Sequence, residues 1–174
     1  KMSKSIGNTI APSDIVEKDG ADILRLWVAS VDYTEDFKMS PELLDQVKES
    51  YRKIRNTYRF LLGNLFDFNP SKDKVDFKNM MKYDQYMMVK LNQTAKNFVS
   101  FTLSNFYLDF TKDILYIEKQ DSLVRRSVQT VICEVLDVMV RLLAPILPYT
   151  SEEVYQMMPG VKEESVHLLS MKDI

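Results

Sequence analysis

The chain has 174 residues, of which 45% are hydrophobic and 28% charged, enough for one globular domain of ordinary composition. Its net charge of −2 excludes a general attraction to nucleic acid, so any RNA contact must come from a local basic surface. The single cysteine, Cys133, excludes an internal disulfide and a cysteine-based zinc site. With neither a membrane-length apolar segment nor a signal peptide, the sequence favours a cytoplasmic protein.

Two short helices are predicted near the start of the chain. Residues 1–11 have the pattern of a loop, the first helix covers 12–17 and the second covers 21–30. The turn-forming pair Asp19-Gly20 separates the two helices. In the second helix, apolar residues at helical spacing form one face: Ile23, Leu24, Trp27 and Val28.

A long helix is predicted next. Ser40 suits the N-cap, Pro41 the first helical position and Glu42 the positive end of the helix dipole. Apolar residues then recur at alternating steps of three and four, as bundle helices require. This row, which we call the seam, consists of Leu44, Val47, Tyr51, Ile54, Tyr58, Leu61 and Leu65. The pattern breaks at Asn69-Pro70, and we expect the polar residues 69–79 to form a mobile loop.

The remaining helices are predicted at about 83–99, at 103–118 and from about Ser122 onward. The third of these must end near Pro145, because proline cannot continue the hydrogen-bond ladder of a helix. The string Thr150-Ser-Glu-Glu153 has the pattern of a capping box, which would open a last short helix ending near Met158.

These elements predict an all-α fold, an antiparallel helical bundle preceded by a small helical appendage. Three regions follow from this reading of the sequence. Residues 1–39 form the appendage and its loop, 40–160 the bundle, and 161–174 a C-terminal tail.

The first five residues carry a pattern suited to polyphosphate. Lysine ammonium groups neutralise phosphate charge, and serine hydroxyls donate hydrogen bonds to the same oxygens. A loop of this composition can therefore close over a nucleotide and stabilise developing charge. Taken alone, the same composition also fits a solvated tail. The residues concerned are Lys1, Ser3, Lys4 and Ser5.

A row of basic residues lies beside the seam of the long helix. Lys48, Arg52, Arg55 and Arg59 are spaced by four, three and four residues, so they share one helix face, and Lys53 flanks them. We call these five residues the basic stripe. Few acidic residues stand at pairing distance along the helix, which favours binding of a phosphate backbone. The alternative is a solvated face whose long stems cover the edge of the core.

The whole pattern resembles a known enzyme family. The opening string KMSKS resembles the signature of class I aminoacyl-tRNA synthetases. The strings "DYTEDFKMSPELL" and "YRKIRNTYRFLLGNLFDF" resemble the start of the anticodon-binding domain of isoleucyl-tRNA synthetases. Later parts of that domain are matched by "FYLDFTKDILY", "RRSVQTV", "LLAPILPYTSEEVY" and "KEESVHL". The string "YRKIRNT" distinguishes the isoleucine enzymes from their valine, leucine and methionine relatives.

The resemblance implies specific functions. The parent enzyme would activate isoleucine with ATP and Mg²⁺ and transfer it to tRNA(Ile), with Lys1 and Lys4 acting in catalysis and Ser3 and Ser5 supporting the ATP loop. The basic stripe would bind the anticodon stem-loop, no metal would be bound, and the protein would be a monomer that contacts its upstream catalytic domain and no membrane. The alternatives are the matching fragment of a valyl- or leucyl-tRNA synthetase, or a helical protein-interaction module without RNA binding.

Two departures from the family set limits. The family's HIGH motif is absent, since His167 is the only histidine, and the chain begins within a motif. We therefore expect a fragment that by itself catalyses neither adenylate formation nor aminoacylation and binds no cofactor. Between "KNFVS" and "LSNFYLD" the chain is also shorter than the family by about 20 residues, or roughly five helical turns.

Overall fold

In the computed structural model, residues 10–32, 34, 39–97, 107–160 and 163–170 are described, and within these ranges the chain is helical and contains no strand. The prediction of an all-α fold is thereby confirmed. Eight helices occur in these ranges: α1 (Pro12–Asp19), α2 (Ala21–Ser30), α3 (Pro41–Gly63), α4 (Pro70–Asp73), α5 (Lys82–Asn97), α6 (Tyr107–Ile117), α7 (Leu123–Leu143) and α8 (Pro148–Met157). Two 3₁₀ turns, Phe77–Asn79 and Val166–Leu168, complete the regular structure of this part of the chain.

Helix α7 lies at the centre of the bundle and packs against α3, α5, α6 and α8. Its inner residues are fully buried: Val128, Val131, Ile132, Leu136 and Val140. The side chain of Gln129 donates to the backbone oxygen of Asn64, and the hydroxyl of Tyr58 donates to that of Met139. The start of α7 therefore lies beside the end of α3, which makes the two helices antiparallel, as the sequence predicts.

Helix α3 begins as predicted but ends early. The hydroxyl of Ser40 accepts a hydrogen bond from the backbone N–H of Leu43, and Pro41 occupies the first turn. The later seam residues Ile54, Tyr58, Leu61 and Leu65 are buried in the core. The helix stops at Gly63, because the side chain of Asn64 donates to the backbone oxygen of Phe60 and the chain continues in turns through residue 67.

The prediction of a loop over residues 69–79 is wrong. This stretch contains two elements, α4 and the 3₁₀ turn at 77–79. Asn69 caps α4 by accepting a hydrogen bond from the backbone N–H of Ser71. The backbone N–H of Val75 donates to the hydroxyl of Thr130 on α7. A polar side chain of α7 thus holds this segment on the bundle. The two partners are 55 residues apart in the chain, so no local sequence pattern could have predicted the contact.

Helix α8 begins at Pro148, two residues before Thr150, so the predicted capping box is wrong. Both the backbone N–H and the hydroxyl of Thr150 donate to one carboxylate oxygen of Asp22, on α2, at 2.8 and 2.5 Å. The acceptor for the first turn of α8 thus comes from a distant helix instead of from the local sequence.

Residues 163–170 pack against the end of the bundle. Glu152, on α8, accepts hydrogen bonds from the hydroxyl of Ser165 and the backbone N–H of Val166. The side chain of Val166 is almost fully buried. Hydrogen bonds from Gln156 and Ser165 lower the pKa of Glu152, so this carboxylate is ionised and holds the segment in place.

Candidate nucleic-acid interface

The basic stripe lies on α3 one residue beyond successive seam positions. Tyr51, Ile54 and Tyr58 face the bundle, so the residues that follow them along the helix lie at the edge of the packed face. Arg52, Lys53, Arg55 and Arg59 are exposed there, whereas Lys48 is half-buried. The structure therefore brings all five predicted residues together along one helix.

The N-terminal part of the basic stripe is paired with acidic side chains. The ammonium of Lys48 lies 3.0 Å from a carboxylate oxygen of Asp19 and 3.3 Å from one of Asp45. The hydrogen bond with Asp19 raises the pKa of Lys48. Arg52 lies 2.8 Å from Glu49. The expectation that acidic partners are few is therefore wrong for this part of the stripe. Lys48 pairs with Asp19, which belongs to α1, and Arg52 pairs with Glu49, one helical turn before it.

The C-terminal part of the basic stripe is unpaired. Lys53, Arg55 and Arg59 form no ion pair with any residue in the described ranges, and all three are exposed. Arg55 and Arg59 share one face of α3, and Lys53 lies on its flank. This part of the stripe can accept phosphate groups without first breaking an intramolecular contact.

The other predicted site residues lie outside the described residues. Lys1, Ser3, Lys4 and Ser5 belong to this group, so their roles stay predictions. Among the residues that the structure describes, no group of histidine, cysteine, aspartate and glutamate side chains is arranged to hold a metal ion. Within those same ranges, no helix combines the length and apolar character needed to cross a membrane.

A polar junction joins the appendage to the bundle, and sequence analysis missed it. Asp22 binds Thr150 at the start of α8, and the hydroxyl of Tyr51, on α3, lies 2.9 Å from that of Thr150. Since the Thr150 hydroxyl donates to Asp22, Tyr51 must be the donor in this second bond. Arg25 donates to the backbone oxygens of Pro145 and Ile146, just after α7. Asp22 is buried, but burial is a property of the fold, so the sequence alone offered no signal for this junction.

A second polar cluster fastens the opposite end of α3. Arg125, at the start of α7, forms two hydrogen bonds with the carboxylate of Asp67, at 2.5 and 3.2 Å, and both side chains are almost fully buried. Burial opposes ionisation of Asp67, but hydrogen bonds from Arg125 and Gln129 lower its pKa overall. Arg125 also donates to the backbone oxygen of Leu115 at the end of α6. The cluster thus fixes the ends of three helices relative to one another.

The comparisons with known proteins agree with this architecture. The family model described as the anticodon-binding domain of tRNA ligase matches residues 77–173, more than half of the chain. This chain belongs to the anticodon-binding domain family of tRNA ligases. The model for class I tRNA synthetases of the isoleucine, leucine, methionine and valine group matches residues 1–40. The basic stripe lies between the two matched ranges, in the long helix that connects them.

The chain is also similar to several isoleucine–tRNA ligases. It is 50% identical to an isoleucine–tRNA ligase of Macrococcus caseolyticus over 193 residues, 51% to one of Staphylococcus carnosus and 48% to one of Listeria monocytogenes. Each match covers 100% of this chain and 21% of the relative, so the chain spans about a fifth of their length. The matched range of 193 residues exceeds the 174 of this chain, consistent in size with the predicted shortening.

Proposed function

We propose that this chain is the tRNA-docking portion of an isoleucine–tRNA ligase and that it binds the anticodon stem-loop of tRNA(Ile). The observation that carries the proposal is that two unpaired, exposed cations, Arg55 and Arg59, share one face of α3, with the unpaired Lys53 on its flank, in a fold of the anticodon-binding family. Phosphate contacts of this kind supply much of the affinity for RNA and position it without reading its sequence. The similarity to isoleucine–tRNA ligases supports the choice of tRNA.

The parent protein, in this proposal, activates isoleucine with ATP and Mg²⁺ and transfers it to tRNA(Ile). Lys1 and Lys4 would stabilise charge on the polyphosphate during activation, and Ser3 and Ser5 would hold the loop on ATP. The upstream catalytic domain of the parent chain would supply the rest of the site. The protein acts as a monomer in the cytoplasm, and the 174-residue chain alone catalyses neither step and binds no cofactor.

The junction between α2 and α8 supports a mechanical role for the appendage. Residues 1–40 match the class I synthetase model, and α2 lies within that range. Asp22 and Arg25 fasten α2 to the bundle at both α8 and the end of α7. A tRNA held by α3 would therefore be held at a fixed position relative to the segment that follows the ATP loop.

The deciding experiment is a titration of labelled tRNA(Ile) with the chain at several salt concentrations. Each phosphate contact that is lost should reduce the slope of log affinity against log salt by about one. The double variant Arg55→Ala plus Arg59→Ala should therefore weaken binding and reduce this slope by about two. Because phosphate contacts read no bases, the affinities for valine and methionine tRNAs should fall by the same factor.

Lys90→Ala provides the matched control. Lys90 is an exposed cation on α5, whose main packing partner in the described ranges is α7. This variant should leave affinity and salt slope unchanged. If the double variant stays helical and binds tRNA(Ile) as the unaltered chain does, the stripe is a solvated face. Binding of protein partners with an affinity that does not depend on salt would then favour the alternative, a protein-interaction module.

A further inference from the structure

The basic stripe of α3 leads to an exposed aromatic ring. Arg55 follows the buried Ile54, and Arg59 follows the buried Tyr58. Phe66 likewise follows a buried residue, Leu65, in the turn that comes after the end of α3. It lies seven residues after Arg59, about 10 Å along the axis at helical rise. Its side chain is 79% exposed, which is unusual for phenylalanine.

Arg125 brings a second exposed ring to the same end of the bundle. Its guanidinium binds Asp67, the neighbour of Phe66, and the backbone oxygen of Leu115, the neighbour of Tyr116. The side chain of Tyr116 is 70% exposed. Ile117 and Leu123, which flank the turn between α6 and α7, are also exposed at this end. The bonds of Arg125 thus bring the segments that carry these four side chains to one end of the bundle.

A cleft with polar walls adjoins this apolar group. It has a volume of about 430 Å³, and its lining includes Leu123, Lys72, Asn79 and three aspartates, Asp73, Asp76 and Asp121. An amide, a carboxylate and an ammonium supply the donors and acceptors that recognise the edges of unpaired bases. Of the apolar group, Leu123 lines this cleft, whereas Phe66 and Tyr116 are not among its lining residues.

We propose that Phe66 and Tyr116 bind unpaired nucleotides of the same RNA whose duplex phosphates lie on Arg55 and Arg59. The proposal rests on the proposed function and adds an orientation, with the stem along α3 and the loop at the end that Arg125 fastens. Aromatic side chains stack on bases that have left a duplex, whereas paired bases are inaccessible to them. A surface with cations at Arg55 and Arg59 and exposed rings beyond them therefore fits an RNA duplex that continues into a single-stranded loop.

The test uses two RNA hairpins with the stem of the tRNA(Ile) anticodon arm. One carries the natural loop, and the other has abasic sugars in the loop, so that all phosphates remain but the bases are absent. Phe66→Ala and Tyr116→Ala should each weaken binding of the natural hairpin by about five- to a hundred-fold, the range expected for loss of one stacked base. Neither variant should alter binding of the abasic hairpin or the salt slope with either RNA, since the rings contact no phosphate.

Tyr149→Ala is the matched control. Tyr149 is also 70% exposed, but its neighbour Thr150 binds Tyr51, roughly 22 Å from Phe66 along α3 at helical rise. This variant should bind both hairpins normally. Phe66→Leu and Tyr116→Leu retain apolar volume while removing the ring. They should weaken binding of the natural hairpin as the alanine variants do, and circular dichroism should show unchanged helicity.

The outcomes separate this proposal from the function on which it rests. Normal binding of the natural hairpin by the ring variants, with loss of binding in Arg55→Ala plus Arg59→Ala, would overturn the stacking role and leave the tRNA-docking function intact. Equal affinity of the unaltered chain for both hairpins would also overturn it. Normal binding by the ring variants and by the double arginine variant would overturn both.

Discussion

Asp22 provides the acceptor for the first turn of a helix that begins 126 positions later in the chain, because Thr150 donates both its backbone N–H and its hydroxyl to the Asp22 carboxylate. The backbone N–H of Tyr149 approaches the other carboxylate oxygen at 3.4 Å. A negative charge at the N-terminus of α8 is also favourable to the helix dipole. This buried side chain, together with Arg25, therefore fastens the appendage to the bundle.

Asp22→Ala should lower the free energy of unfolding by about 2–3 kcal/mol, since it removes charged hydrogen bonds and a helix cap together. Hydrogen exchange of α2 and of the first turn of α8 should accelerate more than that of the α3–α7 core. Glu153→Ala, which removes an exposed acid from α8, should change stability by less than about 0.5 kcal/mol. Equal stability of the two variants would contradict the capping role.

Asp67→Asn should expose the pH dependence of the Arg125 cluster. The pKa of Asp67 is lowered in the folded chain, so its contribution is complete above the unfolded value of about 3.9 and is lost as the pH falls through the folded value. At pH 7 the variant should be less stable by about 3 kcal/mol, because Arg125 loses its buried partner. Urea unfolding should show this difference constant from pH 7 to about 5 and smaller below about 4. A difference in unfolding free energy that stays constant down to pH 2 would contradict a role for the ionised Asp67.

Asp19→Asn should release Lys48 for RNA. The hydrogen bond with Asp19 is the main cause of the raised pKa of Lys48, and its loss leaves only the exposed Asp45 as a partner. We expect tighter binding of tRNA(Ile). The slope of log affinity against log salt should increase by up to about one, the value for one added phosphate contact. Asp14→Asn removes the same charge from an exposed position on α1 that has no ion pair among the described residues. If both variants tighten binding equally, net charge and not release of Lys48 is the cause.

Local patterns in the sequence predicted most of the helices and the buried face of α3, although they missed α4, and Val28, which they placed on the apolar face of α2, is exposed. The seam of α3 predicted its buried side, because an apolar residue every three or four positions can be buried only on one face of a helix. Ser40 and Pro41 identified the start of α3, since capping depends on neighbours within three residues. The spacing of Arg55 and Arg59 likewise placed them on one face, and the structure shows them exposed there.

Only the tertiary structure decided which polar side chains are free and which are paired. Lys48 and Arg55 each follow a seam position, yet Lys48 is neutralised by Asp19 of another helix and Arg55 is not. The same holds for Thr150, whose string resembles a capping box but whose partner is Asp22. Hydrogen bonds and ion pairs between distant segments depend on how helices pack, and packing is set by the whole core. The sequence therefore determined the row of cations, and the fold determined its free end and the exposed ring of Phe66 beyond it.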